Sequence, residues 1–125
     1  MFSFQKRIAA VLAVTAALSL ALTSCTGAKS YSSPESLIAA YTNAGGVCED
    51  QVKAPESMVS EGAHGIFCMP SMTFMVVFNT EDHKNRYIAR TGDHDGYRVA
   101  GDRWIVSGEK GDANILDQLG GKKIS

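Results

Sequence analysis

The stretch YRVAGDRWIV (residues 97–106) predicts a β-hairpin, and this hairpin decides the fold class of the chain. Its two runs of strand-forming residues are joined by Gly101-Asp102, a dipeptide typical of two-residue hairpin turns. Pairing the runs around that turn gathers four large side chains on one face, in two opposite pairs: Val99 with Trp104, and Tyr97 with Val106. We expect that face to be buried, with Trp104 in the core rather than on a partner-binding surface.

The clearest strand of the chain is MTFMVVFN (72–79), whose side chains alternate between two faces. We expect the first face to lie in the core: Met72, Phe74, Val76 and Phe78. The opposite face is half apolar, which indicates a central strand or a partly covered surface: Thr73, Met75, Val77 and Asn79. Two further strands are predicted at residues 47–51, which include Cys48, and at GIFC (65–68), with a loop over residues 52–63.

Three helices have start signals in the sequence. Ser33-Pro34-Glu35 is typical of a helix start, with Ser33 as the N-cap, and the helix is expected to end at Gly45-Gly46. Residues 79–90 begin with a polar cap followed by two acids, which favours a second helix. Asp112 is the candidate cap of a last helix, whose apolar stripe and closing glycines are Ile115, Leu116, Leu119 and Gly120-Gly121.

The predicted order of elements is α-β-β-β-α-β-β-α. Hairpin runs with helices between them are typical of an α+β fold, in which helices cover an antiparallel sheet. We therefore expect a single domain over residues 33–125. Its sheet should have about four or five strands, with two to three helices packed mainly on one face.

Residues 1–24 have the features of a secretory signal peptide. Lys6 and Arg7 form a basic start, and residues 8–22 follow as 15 residues without charge, proline or glycine. A bilayer-spanning helix needs about 20 apolar residues, so this run is short for a transmembrane segment. A short membrane anchor or a buried core helix is the alternative.

The tetrapeptide Leu22-Thr23-Ser24-Cys25 resembles the lipobox of bacterial lipoproteins, in which a small residue and then Ser, Gly or Ala precede a cysteine. The resemblance implies cleavage between Ser24 and Cys25 and a diacylglyceryl group on the Cys25 sulfur. Two acyl chains hold a protein stably on a bilayer. We therefore expect a protein anchored by lipid to the outer face of the cell membrane, with a flexible tether over residues 26–32. An ordinary free or buried cysteine is the alternative.

Lipidation of Cys25 leaves two of the three cysteines, Cys48 and Cys68, as an even pair in an oxidising compartment. We expect them to form a disulfide. A bridge that closes a loop of about 20 residues stabilises a fold by roughly 3 kcal/mol in the chain-entropy model. A redox pair or a metal site is the alternative, but the C-x-x-C spacing typical of such sites is absent from the sequence.

The charge of the chain argues against nucleic acid as a partner. There are 12 basic and 13 acidic residues, and removal of Lys6 and Arg7 leaves 10 basic residues and a net charge of −3. The sequence contains no basic run and no basic-aromatic cluster, which are the usual signatures of nucleic-acid binding.

No motif in the sequence identifies a catalytic residue or a metal site. DHDG (93–96) is similar to part of a calcium loop, but the twelfth position from Asp93 is Trp104 instead of Glu. A copper or zinc site could be assembled from histidines and nearby acids, for which the candidates are His83, His94, Asp82, Asp93 and Asp95. No spacing supports it, and a solvated loop and helix start is the simpler interpretation. Apart from the lipid on Cys25, we predict no cofactor.

Four features together resemble small lipoproteins of unknown function from high-GC Gram-positive bacteria. They are the pair Cys48 and Cys68, VVFNTEDHKNRY, VAGDRWIVSG and the closing ILDQLGG. The resemblance supports the fold and the location and implies no catalytic residues. The expected function is that of a non-catalytic binding or accessory module of the cell envelope, whose partner is an envelope protein or another ligand. The alternatives are a metal-binding lipoprotein that uses His83 and His94, and a small envelope-acting hydrolase.

Overall fold

The computed structural model describes residues 29–59, 62–92 and 95–124; the predicted signal peptide and Cys25 lie outside these ranges. Within them the chain forms, in order, α1 (Pro34–Asn43), β1 (Asp50–Lys53), α2 (Glu56–Val59), β2 (Ala63–Met69), β3 (Thr73–Phe78), α3 (Glu81–Thr91), β4 (Tyr97–Gly101), β5 (Trp104–Gly108), a 3₁₀ turn (Lys110–Asp112), α4 (Ala113–Asp117) and β6 (Lys122–Lys123). Among the residues described, none of the helices has the length and apolar composition needed to span a membrane.

The six strands form one antiparallel sheet in the order β1-β2-β3-β5-β4-β6. β3 lies inside the sheet, with Met75 opposite Ile66 on β2 and Val106 on β5. The α+β fold class with an antiparallel sheet is therefore confirmed. The sheet has one more strand than expected, because residues after the last helix return to pair with β4 as the two-residue strand β6.

Apolar side chains pack on both faces of the sheet, so the domain has two cores. The first lies on the face covered by α1 and α4, and it includes Leu37, Tyr41, Met75, Trp104, Val106 and Leu116. The second lies on the face covered by α2 and α3, and it includes Val59, Phe74, Val76, Phe78 and Ile105. The expectation that the helices lie mainly on one face is wrong. All six residues of β3 are buried, as is typical of a central strand, and both of its apolar faces need a cover.

The hairpin of β4 and β5 forms as expected, but its turn lies one residue further along the chain. Gly101 is opposite Trp104, so the turn residues are Asp102 and Arg103 instead of Gly101-Asp102. Each residue of β4 therefore pairs with a residue of β5 two positions further along the chain than expected, so that Val99 is opposite Val106 instead of Trp104. Because a shift of two residues is even, every side chain stays on its expected face of the sheet. A Cβ atom on Gly101 would lie 2.3 Å from the Trp104 indole, so the glycine is needed opposite the tryptophan. Trp104 itself is fully buried, as predicted.

Three expectations for the region around β1 and β3 are wrong. Met72 lies in the turn before β3 with a φ of 59°, and this backbone turns its side chain out of the core to 60% exposure. β1 begins at Asp50, where pairing with β2 starts, rather than at residue 47. The expected loop over residues 52–63 contains the end of β1 and the whole of helix α2. Val59, the last residue of α2, is buried in the second core and holds this helix against the sheet.

Helix starts follow the local signals in the sequence. The Ser33 side chain accepts a hydrogen bond from the Ser36 backbone N–H, and the Ser36 side chain accepts one from the backbone N–H of Ser33. Thr80 caps α3 by accepting from the backbone N–H of His83. Asp112 occupies the N-cap position of α4, but its side chain makes no capping hydrogen bond.

The predicted disulfide between Cys48 and Cys68 is present, with Cα atoms 4.8 Å apart. Cys68 lies in β2 and is fully buried in the first core, whereas Cys48 precedes β1 and is half-buried. The bond therefore ties the segment between α1 and β1 to the interior of the sheet.

Candidate functional site

A groove of about 740 Å³ lies on the face of the sheet that α2 and α3 cover. Its apolar part is lined by Met58, Phe67, Met72, Phe74 and Tyr87. Its polar end is lined by Asp95, Arg98, Glu109 and Lys110. Pockets that hold small molecules usually have volumes of about 300–1,000 Å³, with apolar walls and a few polar groups, and the groove has this character.

Two stacked rings form the apolar floor of the groove. Phe67 and Phe74 are direct cross-strand partners on β2 and β3, and their ring centroids are 4.4 Å apart. Gly65 contributes by having no side chain, since a Cβ atom there would lie 2.8 Å from the Phe74 ring. The alternation of β2 and β3 thus determines which residues face the groove.

Two methionines at the groove expose much of their surface. Met58 of α2 is 49% exposed and Met72 is 60% exposed. Met75 of β3, by contrast, is fully buried in the first core. Unbranched, polarizable methionine side chains can adapt to apolar ligands of different shapes, so this pair gives the groove a deformable rim.

Arg98 lies at the polar end of the groove and is only 2% exposed. Its guanidinium donates from Nη1 to Thr91 Oγ1 at 3.0 Å and from Nη2 to the Gly92 carbonyl oxygen at 2.6 Å. These acceptors are at the C-terminus of α3, where a cation is favoured by the helix dipole. Arg98 therefore holds the end of α3 against β4 and brings a positive charge into the groove wall.

Tyr87 packs against the second core from α3 and lines the groove. Burial raises the pKa of its hydroxyl above the ordinary value, and the positive charges of Arg98 and Arg90 act in the opposite direction. The Arg90 guanidinium lies 5.3 Å from the centroid of the Tyr87 ring. Tyr87 thus presents a neutral hydroxyl to the groove at physiological pH.

The residues proposed from sequence for a metal site do not meet in the described part of the chain. Asp95 is exposed at the groove, Asp93 and His94 lie outside the described residues, and His83 is in the first turn of α3. Nδ1 of His83 is buried without a hydrogen-bond partner among the described atoms. Over residues 29–59, 62–92 and 95–124, no group of three or more His, Cys, Asp or Glu residues could hold a metal ion.

The groove could not be predicted from the sequence, because its lining residues lie on or beside six elements, from α2 to β5. The sequence pattern predicts only a strand position for Phe67 and a hairpin position for Arg98. One signal was available: the alternation of residues 97–100 places Arg98 on the face opposite Val99, where a charged side chain inside a sheet needs a partner.

A smaller cleft of about 470 Å³ lies at the opposite end of the hairpin and is lined by Glu81, Lys84, Gly101, Asp102 and Lys122, among others. Lys84 donates to the Gly101 carbonyl oxygen at 2.6 Å and pairs with Glu81 Oε1 at 2.6 Å. Glu81 Oε2 also accepts from the backbone N–H of Arg103 at 2.7 Å. The start of α3 is thus fixed to the β4–β5 turn.

The first described residues contact this same end of the domain. The Lys29 carbonyl oxygen accepts a hydrogen bond from Trp104 Nε1, and the Lys29 backbone N–H donates to the Gly120 carbonyl oxygen at 3.2 Å. Tyr31 donates from its hydroxyl to the Leu119 carbonyl oxygen at 2.7 Å, and its ring meets the Trp104 ring edge-on. Residues 29–31, which were expected to belong to the flexible tether, therefore pack on the domain.

No protein-family model, curated protein or solved structure matches the chain. Conclusions about its function therefore depend on the geometry of the groove and on the sequence signals before residue 29.

Proposed function

We propose that this protein is a lipid-anchored, extracytoplasmic binding module of the cell envelope, and that the groove on the α2 and α3 face is its ligand site. The observation that carries the proposal is the groove itself, with the stacked Phe67–Phe74 floor and two exposed methionines at one end and charged groups at the other. Exposed apolar side chains around a concavity are costly in water unless a ligand covers them.

The division of the groove determines the class of ligand. Its occupant is a small amphipathic molecule whose apolar part lies on Phe67 and Phe74. The polar part of the ligand meets the end where Arg98 and Lys110 offer positive charge and Glu109 offers negative charge. An all-apolar molecule would remove solvent from the exposed charges of Glu109 and Lys110, and desolvating a charge is unfavourable.

A non-catalytic role accounts best for the lining of the groove. Among the described residues, the lining side chains that carry a hydroxyl are those of Ser71, Tyr87, Thr91 and Ser107, and none of the described lining residues is a histidine. A serine nucleophile requires an adjacent base, most often histidine. Ser71 instead lies 2.9 Å from Thr73 Oγ1, in a hydroxyl pair at the β2–β3 turn.

The residues before the domain support the proposed location. The Leu22-Thr23-Ser24-Cys25 lipobox supports lipidation of Cys25 and anchoring on the outer face of the membrane. The Cys48–Cys68 disulfide agrees with an oxidising compartment outside the cytoplasm. Such a module would collect or present its ligand at the membrane surface, alone or for an envelope protein.

The ligand site can be tested with anilinonaphthalene sulfonate, an amphipathic aromatic anion that fluoresces in apolar surroundings. The chain from Thr26 onward is suitable, because both cores lie within residues 29–124. We expect saturable binding of one probe per chain, weakened about tenfold or more by Met58→Glu with Met72→Glu, since two carboxylates would then face an apolar ligand. Val47→Glu is the matched control, because Val47 is similarly exposed at 53% but lies outside the groove.

Two results would contradict the proposed site. One is probe binding that does not saturate, and the other is an equal loss of affinity in the Val47→Glu control. Circular dichroism of each variant establishes that the fold is retained.

A further inference from the structure

Four of the eight exposed cations among the described residues lie at one end of the sheet. Residues 25–125 carry 10 basic residues, and four exposed ones lie around the β4–β5 turn and the edge strand β6: Lys29, Arg103, Lys122 and Lys123. We call these four residues the basic edge. The rest of the domain is strongly acidic, since residues 25–125 have a net charge of −3 despite this group.

The contacts of the backbone place Lys29, Arg103 and Lys122 at the turn end of the hairpin, whereas the Lys123 Nζ lies 5.4 Å from the centroid of the Tyr97 ring, further along β4. Lys29 packs against Gly120, and Lys122 and Lys123 follow directly as the strand that pairs with Ala100 and Val99. Arg103 is in the turn that continues from β4. The two faces of β6 therefore carry one lysine each, and the turn adds the arginine beside them.

The acidic residues at this end do not neutralise the basic edge. Glu81 is occupied by Lys84 and by the backbone N–H of Arg103. Asp102 lies 3.9 Å from Arg103 Nε and accepts a hydrogen bond from Ser30. Among the described residues at this end, Glu81 is thus paired with Lys84, and Asp102 is the carboxylate that remains against the four exposed cations.

The position of Lys29 determines what this edge faces in an anchored protein. Lys29 is fixed to the domain by its bonds to Gly120 and Trp104, and only four peptide steps separate it from Cys25. Four extended residues span at most about 14 Å. A lipid on Cys25 therefore keeps the end of the domain that carries Lys29 within about 14 Å of the bilayer surface.

We propose that the basic edge docks on anionic phospholipid headgroups, so that the domain lies on the membrane in one orientation rather than moving freely on a tether. This proposal rests on the lipid anchor of the proposed function. Each lysine or arginine near an anionic bilayer adds to membrane affinity, and the attraction extends over about one Debye length.

This orientation has a consequence for the groove. β5 runs from Trp104 beside the basic edge to Gly108, which lines the polar end of the groove. Four strand steps span about 13 Å. Docking by Lys29, Arg103 and Lys122 at the turn end of the hairpin therefore holds the polar end of the groove away from the bilayer, where it is open to ligands in the aqueous phase.

Lysine footprinting tests the docking with controls in the same molecule. The full chain is produced in a bacterium that processes lipoproteins, and is reconstituted into vesicles of phosphatidylcholine with or without phosphatidylglycerol. Acetylation by an amine-reactive ester is then followed by mass spectrometry. With phosphatidylglycerol we expect acetylation of Lys29, Lys122 and Lys123 to slow about fivefold, and that of Lys53 and Lys110 to stay unchanged.

A charge-reversed pair completes the test. Lys122→Glu with Lys123→Glu should restore fast acetylation of Lys29, whereas Lys53→Glu with Lys110→Glu should leave it slow. Salt at about 0.5 M should also restore fast acetylation of Lys29 in the wild-type chain, because it screens the attraction between the lysines and the lipid headgroups. If the mass of the chain shows the lipid on Cys25 but acetylation is equal on both vesicle types, the docking proposal is overturned and the lipid anchor is not. A chain recovered without lipid would contradict the anchor and the docking together.

Discussion

The indole Nε1 of Trp104 donates a hydrogen bond of 2.7 Å to the backbone carbonyl oxygen of Lys29, across 75 residues of sequence. Trp104 is fully buried, so the carbonyl oxygen satisfies a donor that water does not reach. The start of the described chain is thus part of the domain, and it covers the hairpin on which the basic edge is built.

Replacing Trp104 with Phe should therefore lower the free energy of unfolding. The ring still fills most of the core site, but the Lys29 carbonyl oxygen loses its donor, which costs about 1–3 kcal/mol. Urea denaturation measures the change. Tyr31→Phe, which removes the neighbouring bond to the Leu119 carbonyl oxygen, should cost about 1 kcal/mol because Tyr31 is half-buried. An unchanged stability in Trp104→Phe would show that the bond has no structural weight.

A methyl group at position 101 should disturb the hairpin. Gly101→Ala places a Cβ atom in the volume of the Trp104 indole, and we expect a loss of about 1–3 kcal/mol from overpacking. Gly111→Ala is the matched control, since nothing lies within 4 Å of a Cβ atom there. Its effect should stay within about 0.5 kcal/mol. Equal midpoints for the two variants in urea would refute this account of the turn position.

Loss of the disulfide should destabilise the domain but leave its sheet folded. Cys48→Ala with Cys68→Ala releases a loop of about 20 residues and should lower the free energy of unfolding by roughly 3 kcal/mol. Non-reducing mass spectrometry of the wild-type chain should find one bond, between these two residues. Detection of two free thiols in the protein isolated from its native compartment would contradict the expectation.

Alkaline pH should weaken the fold through its tyrosines. The hydrogen bond to Asp117 raises the pKa of Tyr97, helped by partial burial and the Asp117 charge, and burial raises the pKa values of Tyr31 and Tyr87. The folded state thus keeps these protons longer than the unfolded chain does. Stability is complete below the ordinary tyrosine pKa of 10.0 and falls as pH rises through the folded-state values.

Tyrosinate absorbance, followed in native and urea-unfolded chains, measures this shift. The native curve should lie at higher pH, and Asp117→Asn should move part of it back, because the Asp117 charge and hydrogen bond contribute to the raised pKa of Tyr97. Superimposable native and unfolded curves would rule out the linkage.

The membrane anchor predicts a clear cell-fractionation result. Cys25→Ala removes the thiol that would carry the lipid, so the protein should leave the membrane fraction or remain as an unprocessed precursor. Ser32→Ala, which leaves the lipobox intact, should fractionate like the wild-type chain. A processed Cys25→Ala protein that stays on the membrane would disprove the anchor.

Local signals in the sequence predicted the local structure well. Ser33 and Thr80 cap their helices as expected, because a cap depends on residues three positions apart. The faces of the β4–β5 hairpin were also predicted, since they depend only on alternation. Its turn was not, because the need for a glycine opposite Trp104 arises from the volume of the indole ring and is invisible in a turn dipeptide.

The features that required distant segments to meet could not be predicted. Helices α2 and α3 cover the second face of the sheet with few apolar residues of their own, so their sequences gave little sign of it. The groove combines Met58, Phe67 and Arg98, which are far apart in the chain and join only once β2, β3 and β4 are in register. The contact of Lys29 with Trp104 likewise depends on tertiary structure alone.

The two edges of the sheet are short, and this matters for molecules crowded on a surface. β1 has four residues, all exposed, with Asp50 and Lys53 at its ends, and β6 has two residues, both lysines. Short, charged edge strands resist the addition of a strand from a neighbouring chain. Copies confined to two dimensions by their lipids would meet often, and these edges would keep such encounters from growing into intermolecular sheets.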